Sequence, residues 1–412
     1  MTPHDPSADV AHRRLAPWPY AVLDVPALRA AGHRPAPFRQ FVLKVNSRCN
    51  LACSYCYVYE MADSGWRRRP PRISSAIVRL AAARIAEHAA THGLRRVDLV
   101  LHGGEPLLTP ADVLAAHVEA VRTALPDGCE LHSTLQTNGT LLTPDVLDTL
   151  AAARIRVGVS LDGGLPAHNA RRPDHAGRTS WPAAAQGLRL LTARPETYAG
   201  ILCVVDPDQD PLETYESLLA LRPPALDLLL PHANWSAPPP GAAPGTTPYA
   251  DWLIPVFDAW FGAARRLTRI RLFEEILALL LGAPAATEAL GLAPVAVAVI
   301  ETDGTIEQVD SLKSAYEGAS ETGLTLREHT FDQALDHPGF TARQLGPAAL
   351  ADCCRACDLR DICGGGLYPH RYRAGHGFRQ PSVHCADLDS LIRHIAGRAS
   401  ELIRPTAVPA AR

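Results

Sequence analysis

Between about residues 38 and 235 the chain alternates six apolar, strand-like runs with amphipathic helical stretches. The predicted strands are Phe41–Val45, Val97–His102, Glu130–Gln136, Arg156–Ser160, Tyr198–Val204 and Ala225–Pro231. Between them the pattern predicts helices over Ser74–Thr91, Pro110–Ala124, Thr143–Ala153, Pro182–Thr192 and Pro211–Ala220. Proline or Thr-Pro at several of these starts fits the first helical turn, where a missing N–H costs nothing. Strands alternating with crossover-length helices build a parallel α/β sheet. Six such units fall short of the eight that close a full barrel. A partial (β/α)6 barrel and an open doubly wound sheet both satisfy the period.

A Pro/Ala/Gly-rich loop, Ala237–Pro248, breaks the alternation. Helical sequence follows at Tyr249–Leu267 and Arg271–Leu281. A hairpin is expected from Val295–Ile300, the turn Thr302-Asp303-Gly304, and Thr305–Val309. A cysteine-rich stretch, 353–385, and a helix to about residue 400 complete the chain. The expected organisation is an N-terminal extension (1–37), a core (38–236), a loop and helical bridge (237–292), a small cysteine-rich domain (293–390) and a C-terminal helix and tail (391–412).

At 412 residues, 47% hydrophobic and 20% charged, the chain reads as globular. A formal charge of −3 gives no nucleic-acid footprint. No run is long enough to span a bilayer, and residues 1–36 lack the apolar core of a secretory signal. The expected location is the cytoplasm, where ten clustered cysteines read as metal ligands rather than disulfides. Lysine occurs only at Lys44 and Lys313; arginine supplies the rest of the 40 basic residues. With abundant Ala and Pro, this reads as genomic base composition.

Cys49, Cys53 and Cys56 place three thiols in one short loop directly after the first strand. Three is one short of the usual four for an iron–sulfur cube, so one iron stays open. The competing reading is a zinc knuckle, but zinc wants four ligands and no fourth cysteine or nearby histidine follows. The C-x3-C-x-Tyr-C pattern resembles the signature of radical S-adenosylmethionine (SAM) enzymes. That resemblance implies a partial (β/α)6 barrel, a [4Fe–4S] cluster and SAM. It also implies reductive cleavage of SAM to a 5′-deoxyadenosyl radical that abstracts hydrogen from a substrate, chemistry that belongs to the cofactor.

Gly103-Gly104-Glu105-Pro106 follows the second strand. Taken by itself it reads as an ordinary βα turn, though glycines let a ligand approach the backbone and a glutamate accepts bonds from an ammonium group. Asn138 lies just beyond the third strand, and Ser160 and Asp162 lie at the end of the fourth, the edge where barrel enzymes build their sites. By resemblance the Gly-Gly-Glu-Pro segment meets the amino group of SAM, Ser160 its ribose, Arg172 its carboxylate and the backbone of Tyr55 its adenine. Arg171 is the alternative to Arg172.

Cys354, Cys357, Cys363 and Cys385 form a second set of ligand spacings. Spacing alone fits a zinc S4 site as well as iron–sulfur. The set resembles the SPASM extension of radical SAM enzymes that modify ribosomally made peptides and proteins, an extension with two auxiliary clusters. Leu367, Val309 and the run Ala293–Val299 lack the cysteines that the first of these needs. The expectation is therefore one auxiliary [4Fe–4S] cluster on Cys354, Cys357, Cys363 and Cys385, with Cys353 the alternative to Cys354. Cys129 and Cys203 read as core thiols.

Three stretches narrow the resemblance: Ser47–Glu60 continuing to Gly65–Pro70, Glu301–Lys313, and Leu230–Trp235. They look like the FxsB-type cyclophane-forming radical SAM/SPASM peptide maturases, over about residues 38–390. That implies a C–C crosslink between an aromatic ring and the β-carbon of a nearby residue in a precursor peptide, with an external electron donor such as flavodoxin or ferredoxin. A general base must take the ring proton. Asp310 is the candidate by position, with Glu307 and His232 in reserve. The rival readings are a sulfatase maturase that oxidises Cys or Ser to formylglycine, and an inert iron–sulfur or zinc protein that binds a leader peptide.

Overall fold

The structure, a computed structural model, describes residues 17–403. The ends of the expected N-terminal extension and C-terminal tail, 1–16 and 404–412, lie outside the described residues. Six strands pair in parallel and in chain order: β1 (Gln40–Asn46), β2 (Arg96–Gly103), β3 (Glu130–Thr137), β4 (Ile155–Ser160), β5 (Tyr198–Val204) and β6 (Ala225–Leu229). Right-handed crossovers between strands in this order put every connecting helix on one face. A doubly wound sheet needs a reversal of strand order, and β1 to β6 have none. The architecture is the α/β partial-barrel kind.

The connecting helices are α1 (Ser75–Thr91), α2 (Ala111–Ala124), α3 (Pro144–Ala152), α4 (Trp181–Thr192) and α5 (Pro211–Leu219). Ser74, Thr143 and Asp210 accept from the backbone N–H groups of Ile77, Val146 and Glu213, which satisfies orphan donors at three helix starts. On α1 the buried face is Ile77, Val78, Ala81, Ala82, Ile85 and Ala89, a helical-period stripe. It shares one core with Phe41, Leu43 and Val45 of β1 and Val97, Leu99 and Leu101 of β2.

Side chains alternate across a strand, so the residues between these belong to the opposite face. Parallel register pairs Lys44 with His102, Gln136 with Gly158, and Ser160 with Leu202. One face of the sheet, at the C-terminal strand ends, therefore carries Lys44, His102, Gln136 and Ser160.

The sixth strand stops at Leu229, short of Pro231, which has no N–H to donate. The first bridge helix, α6, runs Pro248–Gly262 rather than to Leu267 and ends where Ala263 turns extended. The second, α7, is Arg271–Leu280, and the two-residue strand β7 (Arg269–Ile270) precedes it.

The expected hairpin is β8 (Val297–Ile300) and β9 (Thr305–Glu307), with Gly304 at φ +88° in its turn. β8 pairs in parallel with β1, and β10 (Glu321–Thr325) adds to β9. The sheet thus has ten strands, β10-β9-β8-β1-β2-β3-β4-β5-β6-β7. It runs straight through the expected boundary at residue 293. The C-terminal helix α8 (Cys385–Ile403) packs on α6 and α7.

From residue 17 onward the N-terminal segment is part of the fold. Trp18 is buried among Val309, Leu312, Tyr368, Tyr372 and Phe378, with the Arg379 guanidinium 4.3 Å from its ring centroid. Among the described residues no helix is long and apolar enough to cross a membrane.

Candidate active site

β1 ends at Asn46, and the chain turns at once into the loop of Cys49, Cys53 and Cys56. Backbone bonds tie this loop to its surroundings: Ala52 N to Pro173 O (2.8 Å), Ser54 N to Arg171 O (3.0 Å) and Glu105 N to Arg48 O (2.9 Å). Gly104 passes so close that a Cβ there would lie 1.9 Å from the Tyr59 hydroxyl and 2.3 Å from Arg48 O. The glycine admits the cysteine loop itself, where the sequence suggested a ligand.

The three thiols face a cavity of about 270 Å³. Burial pushes Cys49 up to about 12 and raises Cys53 and Cys56; Cys53 and Cys56 add to the shift of Cys49, and Cys56 to that of Cys53. Three buried, mutually repelling thiols ionise readily only against a metal centre. Cys49 Sγ also accepts from Leu51 N at 3.4 Å, and Asn138 Nδ2 lies 3.9 Å away. This donor set fits a three-thiolate [4Fe–4S] cluster.

Tyr55, Gly103, Gly104, Asn138, Ser160, Asp162 and Arg172 all line this cavity. Glu105 does not. Its oxygens accept from Leu107 N (3.0 Å), Thr137 Oγ1 (2.7 Å) and Asn138 N (2.8 Å). It is a fully buried brace between two strand ends, and the motif meets the cavity through its two glycines.

Arg172 donates to the Tyr55 hydroxyl at 2.6 Å and to Ser160 O at 2.9 Å. Tyr55 in turn donates to Asp162. Burial raises the Asp162 carboxyl against the pull of Arg172. Arg171 instead reaches out to Asp206 and Asp208, away from the thiols. The geometry settles which of the two arginines faces the cavity.

Asp310 lies behind the wall. Its Oδ2 is 2.6 Å from Lys44 Nζ and its Oδ1 is 3.4 Å from Lys313 Nζ. Lys44 also lies 3.2 Å from Gly103 O and 3.3 Å from His102 Nδ1. Lys313 also meets Glu301 (2.5 Å) and Glu307 (3.5 Å). Both lysines of the chain thus converge on one carboxylate. Burial alone would raise Asp310; the two ammonium groups outweigh it and hold the carboxyl well below the usual range. A carboxylate so clamped is a poor proton acceptor, which weighs against the base role expected of Asp310. Glu307 is likewise bound, by Arg69, Lys313 and Ser320.

His232 is different. It lines the cavity, burial holds it down to about 4, and its Nδ1 has no hydrogen-bond partner. Its ring packs on Tyr57 (centroids 4.6 Å apart) and leads through His370 (6.1 Å) to His384 (a further 4.8 Å). His384 immediately precedes Cys385.

The second cysteine set also comes together. Burial, then the thiols of Cys353, Cys385 and Cys363, push Cys354 up to about 12. Cys385, the first residue of α8, is pushed to about 11 by burial and by Cys363 and Cys357 among others. Cys354 is half-buried and Cys353 exposed, which favours Cys354 as the inner ligand. Four thiols fit one further cluster.

Sequence reasoning missed Lys44, His102, Lys313, Glu301 and Tyr57. The available signal was a lysine inside an otherwise apolar strand, in a chain with only two.

Residues 43–218 match the sequence profile of the Radical SAM superfamily. That match, with the sulfatase-maturating relatives and an AdoMet-bound neighbour, indicates an enzyme that uses a [4Fe–4S] cluster and SAM. The chain is 32% identical over 164 residues to the serine-type anaerobic sulfatase-maturating enzyme of Klebsiella aerogenes, 40% of this chain and 39% of that protein. It therefore spans well under half of that relative's length. The cysteine-type enzyme of Clostridium novyi (strain NT) is 23% identical over 333 residues, 78% of this chain and 85% of its own. Among solved structures, native anSMEcpe with bound AdoMet and Cp18Cys peptide superposes with TM-score 0.75 at 20% identity, covering 88% of this chain and 98% of that one. SuiB of Streptococcus suis bound to precursor peptide SuiA gives 0.55 at 16%, covering 86% and 77%. At these identities the radical SAM domain and its C-terminal region share a fold with both.

Proposed function

We propose that this radical SAM enzyme installs a C–C crosslink between an aromatic ring and the β-carbon of a nearby residue in a ribosomally made precursor peptide. The observation that carries the peptide part is the shape of the site. The thiol-lined cavity shares Tyr55, Met61, Asp162, Val204, Pro231 and His232 with a second cavity of about 550 Å³, which gives an extended chain a way in. The anSMEcpe and SuiB structures, each with a bound peptide, support the same substrate class.

When bound, the cluster and SAM supply a 5′-deoxyadenosyl radical. Cys49, Cys53 and Cys56 would hold the cluster; Gly103, Gly104, Ser160 and Arg172, which line the same cavity, would frame SAM. The substrate gives up a β-hydrogen, its carbon bonds to the ring, and the ring then sheds one proton and one electron. His232 is the proposed proton acceptor: burial weakens it as a base, but its Nδ1 is unpartnered on the wall the two cavities share, and a ring that has lost its electron is acidic enough to protonate a weak base. Asp310 positions rather than accepts. Cys354, Cys357, Cys363 and Cys385 would hold one auxiliary cluster, which would serve as acceptor for that electron, and an external flavodoxin or ferredoxin would supply the reducing electron.

The rival reading, oxidation of Cys or Ser to formylglycine, draws on the sulfatase-maturase relatives. Against it stand Val309 and Tyr368, beside Leu367, packed with Trp18 in an apolar core where a further cluster would need thiols. The test is tandem mass spectrometry of a candidate precursor co-expressed with the enzyme, with a Cys49/Cys53/Cys56→Ala control. Loss of two hydrogens, with fragmentation suppressed after an aromatic residue, is the expected result. A hydrazine-reactive carbonyl at Cys or Ser would overturn it in favour of the maturase reading.

A further inference from the structure

Away from the cavity, another group of side chains converges on a point. His88 and His92 stand four residues apart at the end of α1, so both imidazoles leave the same side of the helix. Asp332, from the short helix Phe331–Ala334 in the auxiliary region, meets them there. Its Oδ1 lies 2.7 Å from His88 Nδ1 and 2.7 Å from His92 Nε2. The His88 side chain is 1% exposed, with its ring set against Phe38, Phe41 and Phe331. His92 and Asp332 are 27% and 37% exposed and face solvent.

We propose that His88, His92 and Asp332 bind one zinc ion, which braces α1 against the auxiliary region. Two imidazoles and a carboxylate are a donor set that zinc takes readily. Histidines four apart on a helix present their nitrogens to one ion, the arrangement that helical zinc pairs use. With His88 Nδ1 and His92 Nε2 unprotonated, three lone pairs and one negative charge meet at a point, and a cation offsets them. Bonds of about 2.0–2.2 Å put tetrahedral ligand atoms about 3.3 Å apart. The carboxylate oxygen and each nitrogen, now 2.7 Å apart, therefore separate by about 0.6 Å to admit the ion. His88 is fixed by its aromatic neighbours and needs no ordering on binding. Water completes the fourth position on the exposed side.

The ion would join a helix of the radical SAM core to a segment more than 200 residues on, at the seam where Arg84 Nε already donates to Leu326 O at 3.1 Å. It sits apart from the cavity-lining residues, so its role is structural.

The test uses anaerobically reconstituted holoenzyme, whose cysteines are engaged by their clusters. Zn2+ is titrated in, bound zinc is counted after gel filtration, and crystals are measured at the zinc absorption edge. Asp332→Asn and His92→Ala are compared with wild type. Asparagine still accepts hydrogen bonds from both imidazoles, so a fold held by hydrogen bonds survives it, but it is a poor zinc ligand. The expected result is one zinc per chain in wild type and an anomalous peak between the three side chains. Affinity falls more than about 100-fold in both variants, since even outer partners of zinc ligands are worth 10–100-fold. Zinc raises the Tm of wild type only. Equal zinc retention by wild type and both variants, or peaks at cysteine sulfurs alone, would leave Asp332 a hydrogen-bond acceptor and overturn the proposal.

Discussion

Lys44 Nζ meets Asp310 Oδ2 at 2.6 Å, joining the first strand of the barrel to the turn after the auxiliary hairpin. Lys44 is 2% exposed and Asp310 7%. A buried pair of this kind adds little over an apolar pair of the same shape, yet breaking it from one side leaves a stranded charge. Lys44→Met should therefore destabilise the enzyme by about 3–5 kcal/mol. Lys44→Met combined with Asp310→Leu should recover part of that loss. Chemical denaturation of the two variants and wild type measures the coupling; additive losses would show that the pair acts as two independent groups.

His232 and Asp310 divide the work at the cavity wall, and their variants should part company. His232→Asn is expected to lower product formation by about 10²–10⁴-fold, the range for a lost general base. Release of 5′-deoxyadenosine should continue, so its ratio to crosslinked peptide rises. Asp310→Asn should instead weaken cofactor and substrate positioning together, lowering 5′-deoxyadenosine and product in step. Chromatographic quantitation of both products decides it; a normal ratio in His232→Asn would return the base role to Asp310.

Acid should unfold this protein through its histidines. Burial holds His102 and His232 down to about 4, below the 6.5 of a free imidazole. The unfolded chain thus binds more protons, and stability falls as pH drops below about 6.5, on the order of 1–2 kcal/mol for each group by pH 5. Asp310 also has a depressed value, but its contribution is lost only as pH falls below about 3.9, the unfolded carboxyl value. Thermal unfolding between pH 7 and 5 should show a falling Tm, and the fall should shrink in a His102→Gln variant.

Iron and sulfide content should match two [4Fe–4S] cubes in wild type and one after the Cys49/Cys53/Cys56→Ala change. Cys354→Ala should remove the other cube, whereas Cys353→Ala should keep it, because Cys354 is the more buried of the two. Mössbauer and EPR spectra of the variants distinguish these outcomes. A third cube in wild type would contradict the apolar packing around Val309 and Tyr368.

Much of the site was legible in the chain because strands alternate and barrels place function at strand ends. Ser160, Asn138 and Asp162 announce themselves by following apolar runs, and they line the cavity. Glu105 follows the same logic and turns away, because Thr137 and Asn138 offer it donors that only folding brings near. Lys44 and Lys313 are 269 positions apart, so nothing local pointed to their meeting on Asp310, and their rarity was read as base composition.

By itself, the amino-acid sequence determined the six βα units, the loop of three thiols and the second set of four, since periodicity and spacing are local properties. Tertiary structure decided that the strands run in order around a partial barrel and that the auxiliary hairpin extends the same sheet. It also decided that Arg172 rather than Arg171 faces the thiols, and that Asp310 is clamped while His232 stands free. The reason is the same in each case. Basicity, burial and orientation depend on which groups are brought close, and those groups come from strands and loops far apart in the chain.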